Sequence, residues 1–114
     1  MKRTFIQTKE FSRHWDELGF SDQDLRRLEN EILINPKVGN VIRGTGGLRK
    51  MRFAFEGRGK RSSSRVCYVD FEVHETVYLI TVFAKADQEN LTREERSNIR
   101  KVIAYLETEL GKGE

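Results

Sequence analysis

The stretch GLRKMRFAFEGRGKRSSSRVCYVDF, residues 47–71, decides how this sequence folds. Its first half alternates apolar side chains with basic or small ones, and this period of two predicts a β-strand over 48–55. A second strand is predicted over 65–72, after a basic connection rich in glycine and serine. The first strand would carry Met51, Phe53 and Phe55 on one side and Lys50, Arg52 and Ala54 on the other. We therefore expect a sheet with one buried apolar face and one basic face.

The remaining elements are predicted as a strand over 3–8, helices over 9–18 and from Ser21 to Asn35, a strand over 77–84, and a last helix after Thr92. Two of the helix starts carry a capping signal, Ser21 with Asp24 and Thr92 with Glu95. The strand over 77–84, VYLITVFA, is apolar on both faces, as expected for a central strand.

The element order predicts the fold class. The order β-α-α-β-β-β-α is typical of an α+β fold, with an antiparallel-dominated sheet that helices pack against on one face. A chain of 114 residues is long enough for one core, so we expect residues 1–114 to form a single domain.

The positive charge is concentrated in one segment. The formal net charge of the whole chain is +3, whereas residues 43–65 carry eight basic residues against Glu56 alone, a balance of +7 that leaves −4 elsewhere. These eight are Arg43, Arg49, Lys50, Arg52, Arg58, Lys60, Arg61 and Arg65. Basic residues taken singly are usually solvated surface, but a cluster without matching acids favours a phosphate-bearing partner.

Composition argues against several other classes of site. Cys67 is the single cysteine, so an internal disulfide is excluded, and we interpret it as a small core residue. His14 and His74 are far apart in sequence and are interpreted as structural or exposed, so we expect no metal site and no cofactor. No apolar run is long enough for a membrane span, and the first residues lack the apolar stretch of a signal peptide, so we expect a cytoplasmic protein without a membrane partner.

Three stretches carry a resemblance to a known family. NPKVGNVIRGTGGLRKMR, GKRSSSRVCYV and YLITVFAKADQENLTREE resemble a RelE/HigB-type toxin of a bacterial type II toxin–antitoxin module, nearest to the HigB branch of the RelE/ParE superfamily. The resemblance implies a RelE-like fold and a ribosome-dependent endoribonuclease, an mRNA interferase that cuts mRNA in the A site of the 30S subunit and inhibits translation.

The resemblance also implies site residues and partners. Lys50 and Arg52 match two cations of the strand motif, Arg65 matches the arginine that opens the next strand, and Lys85 lies beside a basic position after the last core strand. The implied partners are mRNA, ribosomal RNA and a cognate antitoxin, which in such modules commonly carries a helix-turn-helix domain, so that operator DNA is contacted only through the antitoxin. ADQENLT lacks the tyrosine that relatives place there, which leaves the general acid unassigned.

The residue chemistry suggests a division of roles. A guanidinium stays charged and can hold two phosphate oxygens, so Arg65, helped by Arg52, is expected to stabilise the transition state. Lys50 is the candidate general base, with adjacent cations favouring a neutral fraction, and Lys85 either donates a proton or stabilises charge. The remaining basic residues, Arg43, Arg49, Arg58, Lys60 and Arg61, are expected to bind RNA or the ribosome.

Two other function classes stay open at this point. A ParE-like toxin would share the fold, lack the ribonuclease cations and poison DNA gyrase by protein contacts. A non-catalytic RNA-binding or ribosome-binding protein would use the same basic face without cutting RNA. Codon preference, the antitoxin-binding face and the oligomeric state do not follow from the sequence.

Overall fold

A computed structural model describes residues 2–54, 63–88 and 90–113 of the chain. The helices and strands in this part are β1 (Thr4–Gln7), α1 (Lys9–Glu17), α2 (Asp22–Ile34), β2 (Asn40–Val41), β3 (Arg49–Ala54), β4 (Ser63–Phe71), β5 (Thr76–Ala84) and α3 (Arg93–Lys112). A short 3₁₀ turn over Glu72–His74 joins β4 to β5. The predicted elements are confirmed to within two residues at most boundaries.

The sheet has five strands in the order β1-β5-β4-β3-β2. The ladders β2–β3, β3–β4 and β4–β5 are antiparallel, and β1 pairs with β5 in parallel, with Thr4 opposite Thr76. A buried ion pair between Arg3 and Asp70, 2.8 Å from Nε to Oδ1, links the start of β1 to β4. The α+β class with a mostly antiparallel sheet is therefore confirmed, with one additional strand, β2.

The first hydrophobic core lies between the sheet and helices α1 and α2. Its strand residues include Met51, Phe53 and Val66, and its helix residues include Phe11 and Trp15, whose rings stack with centroids 5.3 Å apart. Both predicted helix stripes and the predicted buried side of β3 are confirmed for the described residues, while Phe55 lies outside them.

A second core lies on the opposite face of the sheet. Cys67, Val69 and Ile80 are buried there beneath α3, which contributes Ile103. The prediction that all helices pack on one face is therefore wrong for α3. The physical reason is that β4 and β5 are apolar on both faces, so each face needs a cover to keep those side chains from water.

Tyr68 fixes the connection between α2 and β2. Its hydroxyl donates to the Pro36 carbonyl oxygen at 2.7 Å and accepts from the Gly39 backbone N–H at 3.0 Å. A Cβ on Gly39 would lie 2.9 Å from the Tyr68 ring, so this position requires glycine. Burial raises the pKa of Tyr68, which stays a neutral donor in this contact.

Candidate active site

The register of the sheet assembles a row of cations. Arg52 on β3 lies directly opposite Arg65 on β4, and Arg65 lies opposite Phe83 on β5. Lys50 is two residues from Arg52, opposite Cys67, so it occupies the same face. We call Lys50, Arg52 and Arg65 the cation row. It lies on the face that α3 covers only in part, so Arg52 is exposed and the other two are half-buried.

The two arginines of the cation row are like charges at directly paired cross-strand positions. Side chains at such paired positions have Cβ atoms only about 5 Å apart, and like charges there are destabilising. The Arg65 guanidinium makes two long hydrogen bonds, 3.4 Å to Ser63 Oγ and 3.3 Å to the Ser64 carbonyl oxygen. Within the described residues, neither arginine forms a salt bridge. Binding of an anion would relieve this repulsion.

Lys50 is held by a chain of hydrogen bonds from the start of α3. Its Nζ donates to Asn90 Oδ1 at 2.9 Å. Gln88 Nε2 donates both to the Asn90 carbonyl oxygen and to Glu95 Oε1, each at 2.8 Å. Glu95 in turn accepts from the Thr92 backbone N–H in the capping box of α3. The position of Lys50 is thus coupled to the N-terminal turn of α3.

Lys85 follows the end of β5 beside the cation row. Its backbone N–H donates to the Ser63 carbonyl oxygen at 3.2 Å, which extends the β4–β5 ladder by one residue. Position 85 is two residues beyond Phe83, the cross-strand partner of Arg65, and its side chain is exposed. The structure therefore places Arg52, Arg65 and Lys85 toward the end of the sheet where β4 begins and β5 ends, with Lys50 two positions away from Arg52 along β3.

The other predicted RNA-binding residues are not all beside the cation row. Arg49 lies on the same face of β3 as Met51 and Phe53, opposite to the cation row. Its Nη1 donates to the Gly39 carbonyl oxygen at 2.8 Å. Arg43 lies in the turn after β2 and is exposed. The remaining three, Arg58, Lys60 and Arg61, lie outside the described residues.

The histidines and the cysteine take structural positions. His14 lies on α1 with Nδ1 3.2 Å from the Val82 carbonyl oxygen, beyond the point where β1 stops pairing with β5. Cys67 is buried, as predicted, and burial raises the pKa of its thiol to about 12. In the described part of the chain, no tyrosine or histidine occupies the register positions facing the cation row.

Sequence reasoning missed Asn90 and three arginines at the start of α3. Arg93, Arg96 and Arg100 follow the spacing i, i+3, i+7, which places them along one face of a helix. They line a hollow together with Arg43. The helical spacing of these arginines can be seen in the sequence. Because the residues outside 43–65 carry a net negative charge, no basic cluster was expected there.

Comparison with known proteins identifies the family. A family model for the RelE toxin of the RelE/RelB toxin–antitoxin system matches residues 2–111. The chain belongs to the RelE toxin family. It is therefore a toxin-family member of a toxin–antitoxin system, and the resemblance noted in the sequence is confirmed at the level of the family.

Solved structures of RelE share the fold. A free-state mutant of the Escherichia coli toxin RelE is 18% identical, with a TM-score of 0.55 and coverage of 78% of this chain and 90% of that one. The intact E. coli RelBE toxin–antitoxin complex gives 17% identity and a TM-score of 0.52, with 74% and 96% coverage. A RelE mutant bound to an antitoxin RelB peptide is 18% identical and has a TM-score of 0.51. The match covers 82% of this chain and 98% of that one. At these identities the likeness concerns the fold of this RelE-family chain.

Among the described residues, no helix has the length and apolar character needed to cross a membrane.

Proposed function

We propose that this chain is a metal-independent endoribonuclease that cuts mRNA in the ribosomal A site and thereby inhibits translation. The observation that carries the proposal is the Arg52–Arg65 pair beside Lys50, a set of cations without salt-bridge partners among the described residues. Membership of the RelE toxin family supports a toxic activity of this kind.

RNA supplies its own nucleophile for such a cut. A base removes the proton from the ribose 2′-hydroxyl, the 2′-oxygen bonds to phosphorus, and the bond to the 5′-oxygen breaks as that oxygen takes up a proton. The products are a 2′,3′-cyclic phosphate and a 5′-hydroxyl. The phosphorane-like transition state carries extra negative charge, so preorganised cations are the groups that lower the barrier.

Arg65 is the proposed main stabiliser of that charge. It is half-buried and positioned by Ser63 and Ser64. Its other guanidinium N–H groups make no hydrogen bond to a described residue, and a guanidinium can hold two phosphate oxygens. Arg52, directly across the ladder, assists from the exposed side.

Lys50 is the proposed general base and Lys85 the proposed proton donor or charge stabiliser. The role proposed for Lys50 rests on its place on the same face as the two arginines of the cation row. Asn90 Oδ1 accepts one N–H of Lys50, which fixes the direction of the remaining N–H groups or lone pair. Lys85 follows the end of β5, two residues beyond the strand residue that pairs with Arg65, and this position supports its proposed role at the leaving oxygen.

The proposed partners follow from this activity and from the relatives. The E. coli RelE relatives are seen bound to an antitoxin or its peptide, and we infer a cognate antitoxin for this chain. An antitoxin with a helix-turn-helix domain would carry the contact to operator DNA. The 30S A site, with its ribosomal RNA and mRNA, would be the working partner in the cytoplasm.

Primer extension on a defined mRNA, with and without ribosomes, tests the proposal. We expect cuts within codons that require ribosomes, and loss of one preorganised cation in Arg65→Ala should slow cutting by about 100-fold to 1,000-fold. Arg26→Ala is the matched control, because Arg26 is exposed on α2, away from the cation row.

Three outcomes would contradict the proposal. Cutting of full strength by folded Arg65→Ala would remove the assigned role of the cation row. Arrest of translation without cut ends would indicate a non-catalytic RNA-binding protein. Intact mRNA together with inhibited DNA supercoiling would indicate a gyrase poison instead.

A further inference from the structure

Four arginines from two parts of the chain surround one hollow. Arg43 comes from the turn after β2, and Arg93, Arg96 and Arg100 come from the first half of α3. The hollow has a volume of about 470 Å³, and Gly44 and Ser97 complete its described lining. The turn lies against α3, since a Cβ on Gly46 would lie 3.8 Å from Ile103 Cγ2 and 3.9 Å from Arg100 Cγ. We call this feature the arginine hollow.

The arginine hollow is costly for the protein alone. The like charges of Arg96 and Arg100 at i, i+4 repel each other, and Arg93 opposes the helix dipole that Glu94 and Glu95 favour in the same turn. Within the described residues, none of the four arginines forms a salt bridge, and no carboxylate lines the hollow. These unfavourable terms are offset when an anion with several charges occupies the hollow.

The lining distinguishes a phosphate backbone from an acidic protein segment. Protein partners generally anchor through apolar or aromatic side chains that enter matching pockets. The described lining of the arginine hollow is made of arginine, glycine and serine, whereas apolar side chains such as Val41 and Val73 line a separate hollow of about 410 Å³. Guanidinium groups can donate two hydrogen bonds each to phosphate oxygens. A set of them without apolar surface therefore suits the phosphates spaced along a nucleic acid strand.

The position of the arginine hollow points to the strand that is cut. Lys50 bonds to Asn90, and Arg93 follows three residues later at the start of α3, so the hollow and the cation row are joined through this short segment. We propose that the arginine hollow binds backbone phosphates of the single-stranded RNA next to the scissile phosphate, an inference that rests on the proposed ribonuclease function.

Salt-dependent RNA binding tests this assignment. The probe is a single-stranded 2′-O-methyl RNA, which cannot be cut because it lacks the 2′-hydroxyl. Removal of three phosphate contacts in R93Q/R96Q/R100Q should reduce the slope of log K against log [salt] by about 2, since each contact to a single strand contributes about 0.7. The matched control K9Q/R26Q/K37Q removes three exposed charges away from the hollow and should leave the slope near the wild-type value.

Further variants and probes distinguish single-stranded RNA from the other possible ligands of the arginine hollow. R93K/R96K/R100K should keep the wild-type slope, because it retains the charge, and this result excludes a folding defect as the cause. Equal slopes for the glutamine variant and its control would overturn the inference. The inference would also be overturned if the glutamine variant lost binding only to duplex RNA, which would assign the hollow to ribosomal RNA helices. Loss of binding only to the purified antitoxin would overturn it too and would assign the hollow to an acidic protein segment.

The same variants distinguish failure of this inference from failure of the proposed function. Primer extension with wild-type protein decides the ribonuclease activity, whereas the slope for uncut RNA decides the arginine hollow. Ribosome-dependent cuts with an unchanged slope would reject the hollow and keep the nuclease. Absence of cuts by folded wild-type protein would reject the nuclease, and with it the scissile-strand assignment.

Discussion

At the scale of single residues, the contact between Lys50 and Asn90 is the most informative. The amide oxygen of Asn90 accepts from the lysine at 2.9 Å and carries no charge of its own, so it orients the amine and stabilises the ammonium form less than a carboxylate would. A carboxylate in the same place would stabilise the ammonium form and hinder a general base.

We therefore expect two different effects at position 90. Asn90→Ala should lower kcat about tenfold, the equivalent of about one hydrogen bond, with a smaller change in KM. Asn90→Asp should move the rise of cleavage activity to higher pH, because the new carboxylate holds the proton on Lys50. The pH profile of ribosome-dependent cleavage measures both effects.

Asn98, exposed on α3, provides the control. Asn98→Asp adds the same charge away from the cation row and should keep the wild-type pH profile. Identical pH profiles for Asn90→Asp, Asn98→Asp and wild type would mean that Lys50 is not the base.

At the scale of elements, the capping box of α3 links helix stability to the site. Hydrogen bonds from the Thr92 backbone N–H and from Gln88 hold the pKa of Glu95 below its ordinary value of 4.5, the backbone bond having the larger effect. A carboxylate with a lowered pKa stabilises the fold above its unfolded pKa, and this stabilisation is lost as the pH falls through the folded pKa.

Glu95→Gln should accordingly destabilise the protein by about 1 kcal/mol at pH 7, as measured by urea unfolding. The difference from wild type should shrink below pH 4.5, the ordinary value for the carboxyl, and vanish once the folded carboxyl is protonated. Glu94→Gln is the control, since Glu94 is exposed in the same turn and is not the capping residue. A difference in unfolding free energy that persists at acid pH would show that the ionised carboxylate of Glu95 is not the source of the stabilisation.

Much of the element pattern could be predicted from the sequence, because caps and periodicity are local. Ser21 and Thr92 start their helices as predicted, and the alternation around Met51 gave the correct faces of β3. The strand β2 was missed because two residues are too short to show a period. The side of the sheet that α3 covers was mispredicted, although the two apolar faces of β5 were a signal for covers on both sides.

The part of the site that depends on local sequence pattern could be predicted, and the part that depends on tertiary contacts could not. Lys50, Arg52 and Arg65 stand out because a strand alternates visibly. Asn90 and the arginine hollow depend on how α3 docks onto the turn after β2, a contact between residues about 50 positions apart that no local pattern encodes.

At the scale of the whole molecule, Cys67 reports whether the second core stays closed. It lies on β4 beneath α3, fully buried, and its pKa of about 12 leaves almost no thiolate at neutral pH. We expect iodoacetamide to leave Cys67 unmodified in the native protein and to label it in urea. Fast labelling of the native protein would show that α3 opens readily from the sheet.

The parallel pairing of β1 with β5 has a consequence for biosynthesis. β1 leaves the ribosome well before its partner β5, Thr76–Ala84, which lies more than 70 residues later in the chain. Contacts so distant in sequence form late, because a long loop must close before they can contribute. A nascent chain stalled before residue 76 also lacks α3 and Asn90, so Lys50 is not yet positioned. The ribosome that makes this toxin therefore releases most of the polypeptide before the proposed site against ribosome-bound RNA can assemble.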